Sequence, residues 1–245
     1  LATQVDKLTT ELMPQVVTWR RDFHQHPELG NNETRTAQVI ADELRRLGYD
    51  VQTGVAHTGV VAVLKGGKPG PVVALRSDMD ALPVIEQVDV PFKSTVRSTW
   101  NGQDVGVMHA CGHDNHMAIL LGAATIFARL RDQLPGTIKL IFQPAEEGPP
   151  NGEQGGAELM VKEGVLENPK VDAIFGLHVM PKASGSIEFR PGPLMASGDG
   201  FTIRIKGRQT HGAVPWGGID PLVIGAQLVM SLQTTIGPEQ NLFDE

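Results

Sequence analysis

The sequence has a single cysteine, Cys111, in 245 residues. One thiol cannot close an internal disulfide, so this is not a disulfide-stapled fold. No block of consecutive Lys or Arg occurs and the formal net charge is −7. Nothing here attracts a phosphate backbone, and nucleic acid is not expected as a partner. The apolar runs are far shorter than the roughly 18 residues a bilayer span requires, so no membrane segment is expected. No secretory signal is visible. The chain nevertheless opens on Leu1 rather than Met, which leaves the compartment open: cytoplasmic, or periplasmic or secreted if a leader has been removed. Internal repeats and low-complexity stretches are also lacking. What remains is ordinary for a globular chain, 40% apolar and 20% charged, and long enough for one large domain or two modest ones.

Residues 3–20 read as a helix, with Val5, Leu8, Leu12, Val16 and Trp19 at helical spacing and Pro14 as a possible kink. Residues 33–47 read as a second helix ending at Gly48, and residues 116–131 as a strongly apolar third. The short β-branched runs at 59–65, 71–76, 137–143 and 171–179 read as buried strands. Strands alternating with helices imply an α/β core with a largely parallel sheet. After Pro191 the texture changes. GSIEFR and FTIRIKG alternate like half-exposed strands, and 220–236 reads as an amphipathic helix. A domain boundary is placed near 188–195, giving residues 1–190 and 191–245.

Four segments carry chemistry: RSDMDALP (76–83), MHACGHDNHM (108–117), IFQPAEEG (141–148) and FGLHVMP (175–181). Three follow a predicted strand and the second opens a helix. Sites in open α/β sheets form outside the carboxyl ends of the strands, so these segments should share one crevice. A thiolate, imidazoles and carboxylates are ligands for zinc and related divalent ions. Cys111 and His113 flank Gly112, which permits a tight turn that aims both at one point. Two adjacent carboxylates at a buried strand end are costly unless cations compensate. Adjacent residues of an extended segment point opposite ways, which assigns Glu147 as ligand and Glu146 as general base. Glu146 is expected to take the proton of a water acidified by the metal and pass it to the leaving amine.

Each piece also has an ordinary reading. His178 alone would be a satisfied core or surface histidine, and Glu146-Glu147 a solvated loop. His24, His26 and His57 are assigned to such roles. Asp78 and Asp80 either orient ligand histidines or cap a helix. A thiol hydrolase with Cys111 as nucleophile leaves Glu146, Glu147 and His178 without work. A non-catalytic binding protein has no use for Glu146.

Together with WRRDFHQHPELG (19–30) and GRQTHGAVPWGGIDP (207–221), these segments resemble the M20 metallopeptidase family, in its amidohydrolase branch. That branch holds N-acyl-amino-acid amidohydrolases, hippurate hydrolases, aminoacylase-like carboxypeptidases and auxin-conjugate hydrolases. The resemblance implies a zinc-peptidase-like catalytic domain with an inserted α+β lid and dimerisation domain. It implies two divalent metal ions, zinc or manganese with cobalt or nickel as options. Cys111 would bridge them, with His113, Glu147 and His178 as further ligands and Glu146 as base. Asp80 would support a ligand or the base, whereas Asp78 stands where the wider family has a histidine. His211 would donate a hydrogen bond to the scissile carbonyl oxygen, often across a homodimer. The implied substrate is a small N-acyl amino acid or dipeptide-like amide. Family members run further and supply one more ligand histidine. The expectation is therefore a chain incomplete at its C-terminus, a fragment not expected to be active by itself.

Overall fold

The computed structural model describes residues 1–192, 194–195 and 200–235. Contacts divide the chain into one unit of Leu1–Pro181 and a second from Lys182 onward, ahead of the 188–195 boundary read from the sequence.

The first unit is built on a five-stranded sheet in the order β1-β2-β6-β3-β7. Its strands are β1 (Asp50–Val55), β2 (Gly59–Lys65), β3 (Lys68–Asp78), β6 (Pro135–Gln143) and β7 (Ala173–Gly176). β2 runs antiparallel to both its neighbours, while β3 is parallel to β6 and to β7. All strands except β2 therefore point the same way, and the sheet is mostly parallel. A separate hairpin pairs β4 (Arg97–Trp100) with β5 (Gln103–Gly106).

Strand alternation divides the core in two. Val60, Ala62, Leu64, Leu140 and Phe142 face α1 (Ala2–Gln25), α2 (Thr34–Arg46) and α3 (His113–Arg129) in one buried cluster. Val61, Ala74 and Ile141 face the opposite way, against Met160 of α4 (Gly156–Lys162) and Val165. Each fully buried side chain of this size contributes about 1.5–3 kcal/mol through water exclusion. The sheet is thus covered on both faces at its centre, as parallel strands require, while the edge strand β7, expected to be buried, is exposed along its length.

Four sequence expectations are corrected. α1 runs through Pro14 and on to Gln25. α3 begins at His113 rather than 116, so His113 and His116 share its first turn. β7 is only Ala173–Gly176, which leaves His178 beyond the ladder. In the second unit GSIEFR and FTIRIKG form no strands. Alternation marks a strand only where a partner supplies the ladder. Among the described residues the unit's one bridge joins Arg208 to Ile219. α5 (Pro221–Thr235) matches the expected 220–236 helix, whose last position lies outside the described residues.

Candidate metal centre

β6, β3 and β7 are adjacent and parallel, so their carboxyl ends open at one rim. Register sets the heights along that rim. Asp78 pairs with Gln143, and Arg76 with Gly176, which brings His178 to the level of Asp78. Glu146 and Glu147 follow β6 by a few residues. The fourth segment arrives at the start of α3. There Gly112 adopts φ +90, and a Cβ on it would meet Val179 Cγ2 at 2.3 Å. Only glycine permits both that backbone and the close approach of the His178 segment.

His113 is the hub. Its Nδ1 donates to the Asp80 carbonyl at 2.8 Å. A carbonyl can only accept, so Nδ1 carries a proton, and Nε2 faces the cluster with a lone pair to offer when the ring is neutral. That nitrogen is buried and has no hydrogen-bond partner. Asp78 Oδ2 and Glu146 Oε2 lie 3.7 Å from it and Glu147 Oε1 3.9 Å. Three overlapping sets bring their ligand atoms within 4.8 Å of one another: Cys111, His113 and His178; Asp78, His113 and His116; and His113, Glu146 and Glu147. The structure thus gathers every sequence-proposed ligand around one imidazole.

The remaining hydrogen bonds orient this set. His178 Nδ1 donates to the Val179 carbonyl at 2.7 Å, leaving Nε2 to face Cys111 Sγ at 3.3 Å. The Asp80 carboxylate accepts the Glu147 N–H at 2.9 Å. Asp80 therefore ties a candidate ligand to the turn that carries the carboxylate pair. His116 Nδ1 donates to Asp78 Oδ1 at 2.7 Å, and its Nε2 accepts the Val179 N–H at 2.9 Å. Asp78 also takes Arg76 Nη1 at 2.8 Å.

Charge is out of balance around the hub. Burial pushes the Cys111 thiol up to about 12, helped by Glu147, Glu146 and Asp78. Burial pulls His113 down, but the Asp80 carboxylate, 3.3 Å from Nδ1, and the Asp78 charge outweigh it and carry the imidazole up to about 9. Burial also raises Glu146, against His113 and Arg76. Burial would raise Asp78 too, yet the His116 hydrogen bond and the charges of His113, His116 and Arg76 hold it below the ordinary carboxylate range. Without a cation the cluster must take up protons, and the one on His113 Nε2 finds no acceptor within hydrogen-bonding distance. This donor set and its orphaned nitrogen fit a divalent ion.

Glu146 and Glu147 correct one piece of reasoning. They lie in a turn rather than an extended strand end, after Ala145 at φ +46, and both approach His113. Alternation along a strand therefore does not separate their roles. His211 belongs to the second unit, in an exposed turn, where its Nδ1 accepts the Ala213 N–H at 3.1 Å.

Sequence reasoning missed His116, although its three-residue spacing from His113 on a helix was available. It also gave His24 an ordinary role. His24 is buried, with Nδ1 2.8 Å from Asp114 and Nε2 3.0 Å from Glu86. His26 and His57 are exposed, as expected.

Residues 74–237 match the model of peptidase family M20/M25/M40. The N-acyl-L-amino acid amidohydrolase of Geobacillus stearothermophilus is 45% identical over 231 residues, which are 94% of this chain and 59% of that protein. An IAA-amino acid hydrolase of Arabidopsis thaliana is 40% identical, covering 100% of this chain and 54% of its own. A dinuclear metal-binding M20 peptidase from Bacillus subtilis superposes with a TM-score of 0.60 at 40% identity, over 72% of this chain and 44% of that one. A methicillin-resistant Staphylococcus aureus protein reaches 0.78 at 33% identity, over 100% and 62%. The chain spans a little over half the length of the curated relatives it matches. The chain belongs to peptidase family M20/M25/M40.

Proposed function

We propose that this protein is a metal-dependent amidohydrolase that cleaves the amide bond of N-acyl amino acids or small dipeptide-like substrates. Its two divalent ions, zinc or manganese, are held by Cys111, His113, Glu147 and His178. The observation that carries this reading is the buried Nε2 of His113, unpartnered and faced by Asp78, Glu146 and Glu147. Divalent ions bound there supply Lewis acidity toward the substrate carbonyl and toward a water. The chain's own residues do the rest. Glu146 is placed beside His113, and its raised proton affinity suits a base that takes a proton from water and returns it to the leaving amine. Asp80 fixes His113 through its carbonyl and Glu147 through its carboxylate. His116 and Arg76 keep Asp78 ionised.

Leu1–Pro181 carries the metal centre, and the unit from Lys182 onward begins a lid through which the protein forms a homodimer. His211, carried over from the family resemblance, donates a hydrogen bond to the carbonyl oxygen of the scissile amide.

The contact of Cys111 Sγ with His178 Nε2 at 3.3 Å is also what a thiol hydrolase would show. A nucleophilic cysteine needs a depressed pKa, whereas this thiol is pushed up to about 12 by burial and by carboxylates. That opposes the thiol mechanism. A hydrolysis screen on N-acetyl, N-benzoyl and indole-acetyl amino acids, before and after chelation, tests the reading. Activity should vanish with the metal and return with zinc or manganese. Full activity in chelator would overturn it.

A further inference from the structure

The turn bearing Glu146 and Glu147 is gripped by two buried carboxylates. On one side Asp80 accepts the Glu147 N–H at 2.9 Å. On the other, Glu33, fully buried, accepts the Ala145 N–H through Oε1 at 2.8 Å. The second oxygen of Glu33 takes the Thr58 hydroxyl at 2.5 Å. Burying a carboxyl so completely is costly unless its oxygens are satisfied. Helix capping does not account for it, because Glu28 already accepts the Arg35 and Thr36 N–H groups at 3.0 and 2.8 Å at the start of α2.

What Glu33 holds is unusual backbone. Ala145 sits at φ +46, in the left-handed region that side chains other than glycine rarely adopt. Such a residue is strained and persists only where its surroundings enforce it. Gly30 shows how closely they do so: a Cβ on it would meet Ala145 Cβ at 3.1 Å and Gly148 O at 3.0 Å. The Gly148 N–H closes the turn onto the Ala145 carbonyl at 3.3 Å.

Resting on the amidohydrolase reading, we propose that Glu33 is a positioning residue for the reaction. By accepting the Ala145 N–H, it keeps that residue in its left-handed turn and so aims the Glu146 carboxylate at the reacting centre. Glu33 itself touches neither the metal ligands nor the substrate. Its effect belongs in kcat.

The test uses the full chain, manganese-loaded, with steady-state kinetics, metal analysis and crystal structures of each variant. Glu33→Ala is expected to lower kcat by about 10–100-fold, the scale of a small misplacement of a catalytic group. KM and metal content should stay near wild type. Glu33→Gln keeps an oxygen for the Ala145 N–H and should restore most of kcat. Glu33→Asp keeps the carboxyl group but is too short to reach, so it should behave like Glu33→Ala and stands in for it if the alanine variant fails to fold. In the crystals Ala145 should leave positive φ in the alanine and aspartate variants and keep it in the glutamine variant. Wild-type kcat in Glu33→Asp, Ala145 unmoved without its acceptor, or no rescue by glutamine overturns the proposal. If the wild type itself hydrolyses no amide, kcat reads nothing, and the conformation of Ala145 alone decides the role of Glu33, separately from the functional reading.

Discussion

Cys111 Sγ lies 3.3 Å from His178 Nε2, across 67 residues of sequence. The two reach each other because α3 starts beside the end of β7, and Gly112 lets Val179 pack against that start. Without a metal, this thiol and the nearby imidazole of His113 hold protons, with pKa values of about 12 and about 9. Ligation requires both atoms stripped. Metal uptake near pH 7.5 should therefore release about two protons per chain, and affinity should rise with pH, steeply up to about 9 and less steeply above it, where only the thiol still holds its proton. Calorimetry in buffers of different ionisation enthalpy measures this directly, and uptake without proton release would contradict it.

Glu146→Gln keeps the shape and hydrogen-bonding reach of the side chain but cannot take a proton. The expected result is a loss of about 10²–10⁴ in kcat, the usual worth of a general base, with metal content unchanged. Elemental analysis beside steady-state kinetics checks both halves. Loss of metal together with activity would assign Glu146 as a ligand instead.

Asp80 holds His113 with its carbonyl and the Glu147 N–H with its carboxylate. Asp80→Ala leaves the carbonyl in place but removes the second grip, together with the 3.3 Å contact of the Asp80 carboxylate with His113 Nδ1. Metal affinity should fall by about 10–100-fold, the typical cost of losing a group that orients a ligand. Competition against a chromophoric chelator reads the change, and unaltered affinity would remove Asp80 from the centre.

His24 should matter for stability. Its ring bridges the buried carboxylates of Asp114 and Glu86, with Arg20 also on Asp114 and His109 nearby. The Asp114 hydrogen bond raises the pKa of His24 against the pull of burial, and the Glu86 hydrogen bond adds to the rise. Asp114 and Glu86 are lowered: burial opposes this, but their hydrogen bonds to His24 outweigh it. A raised histidine stabilises fully below its unfolded pKa and ceases to do so as pH climbs through its folded value. The lowered carboxylates stabilise above their unfolded values, and that stabilisation is lost in acid. His24→Ala should therefore cost about 3–5 kcal/mol, most at about pH 5–6.5 and less in alkali. Denaturant unfolding of both proteins across pH measures the difference, and a cost independent of pH would contradict the charged bridge.

Much of the candidate centre was legible in the sequence because its candidate ligands cluster at element boundaries. Gly112 between Cys111 and His113, and the β-branched runs ahead of Asp78, Glu146 and His178, signal strand ends and a tight turn. Other features had no local signal. His24 meets Asp114 and Glu86 across 90 and 62 residues. Glu33 meets Ala145 across 112. Such pairings follow from tertiary packing, which periodicity does not report. The left-handed Ala145 was equally invisible, and it undid the alternation argument for Glu146 and Glu147. In the second unit GSIEFR and FTIRIKG show the converse. Their two-residue period is a strand pattern, but a period alone does not provide a partner.

Anomalous scattering from crystals grown with manganese or zinc tests the centre most directly. The account predicts peaks bonded to Cys111 Sγ, His113 Nε2, His178 Nε2 and a Glu147 oxygen, with Glu146 beside them and outside the ligand set. Metal bound elsewhere, or none bound while Cys111 keeps its hydrogen bond to His178, would contradict it.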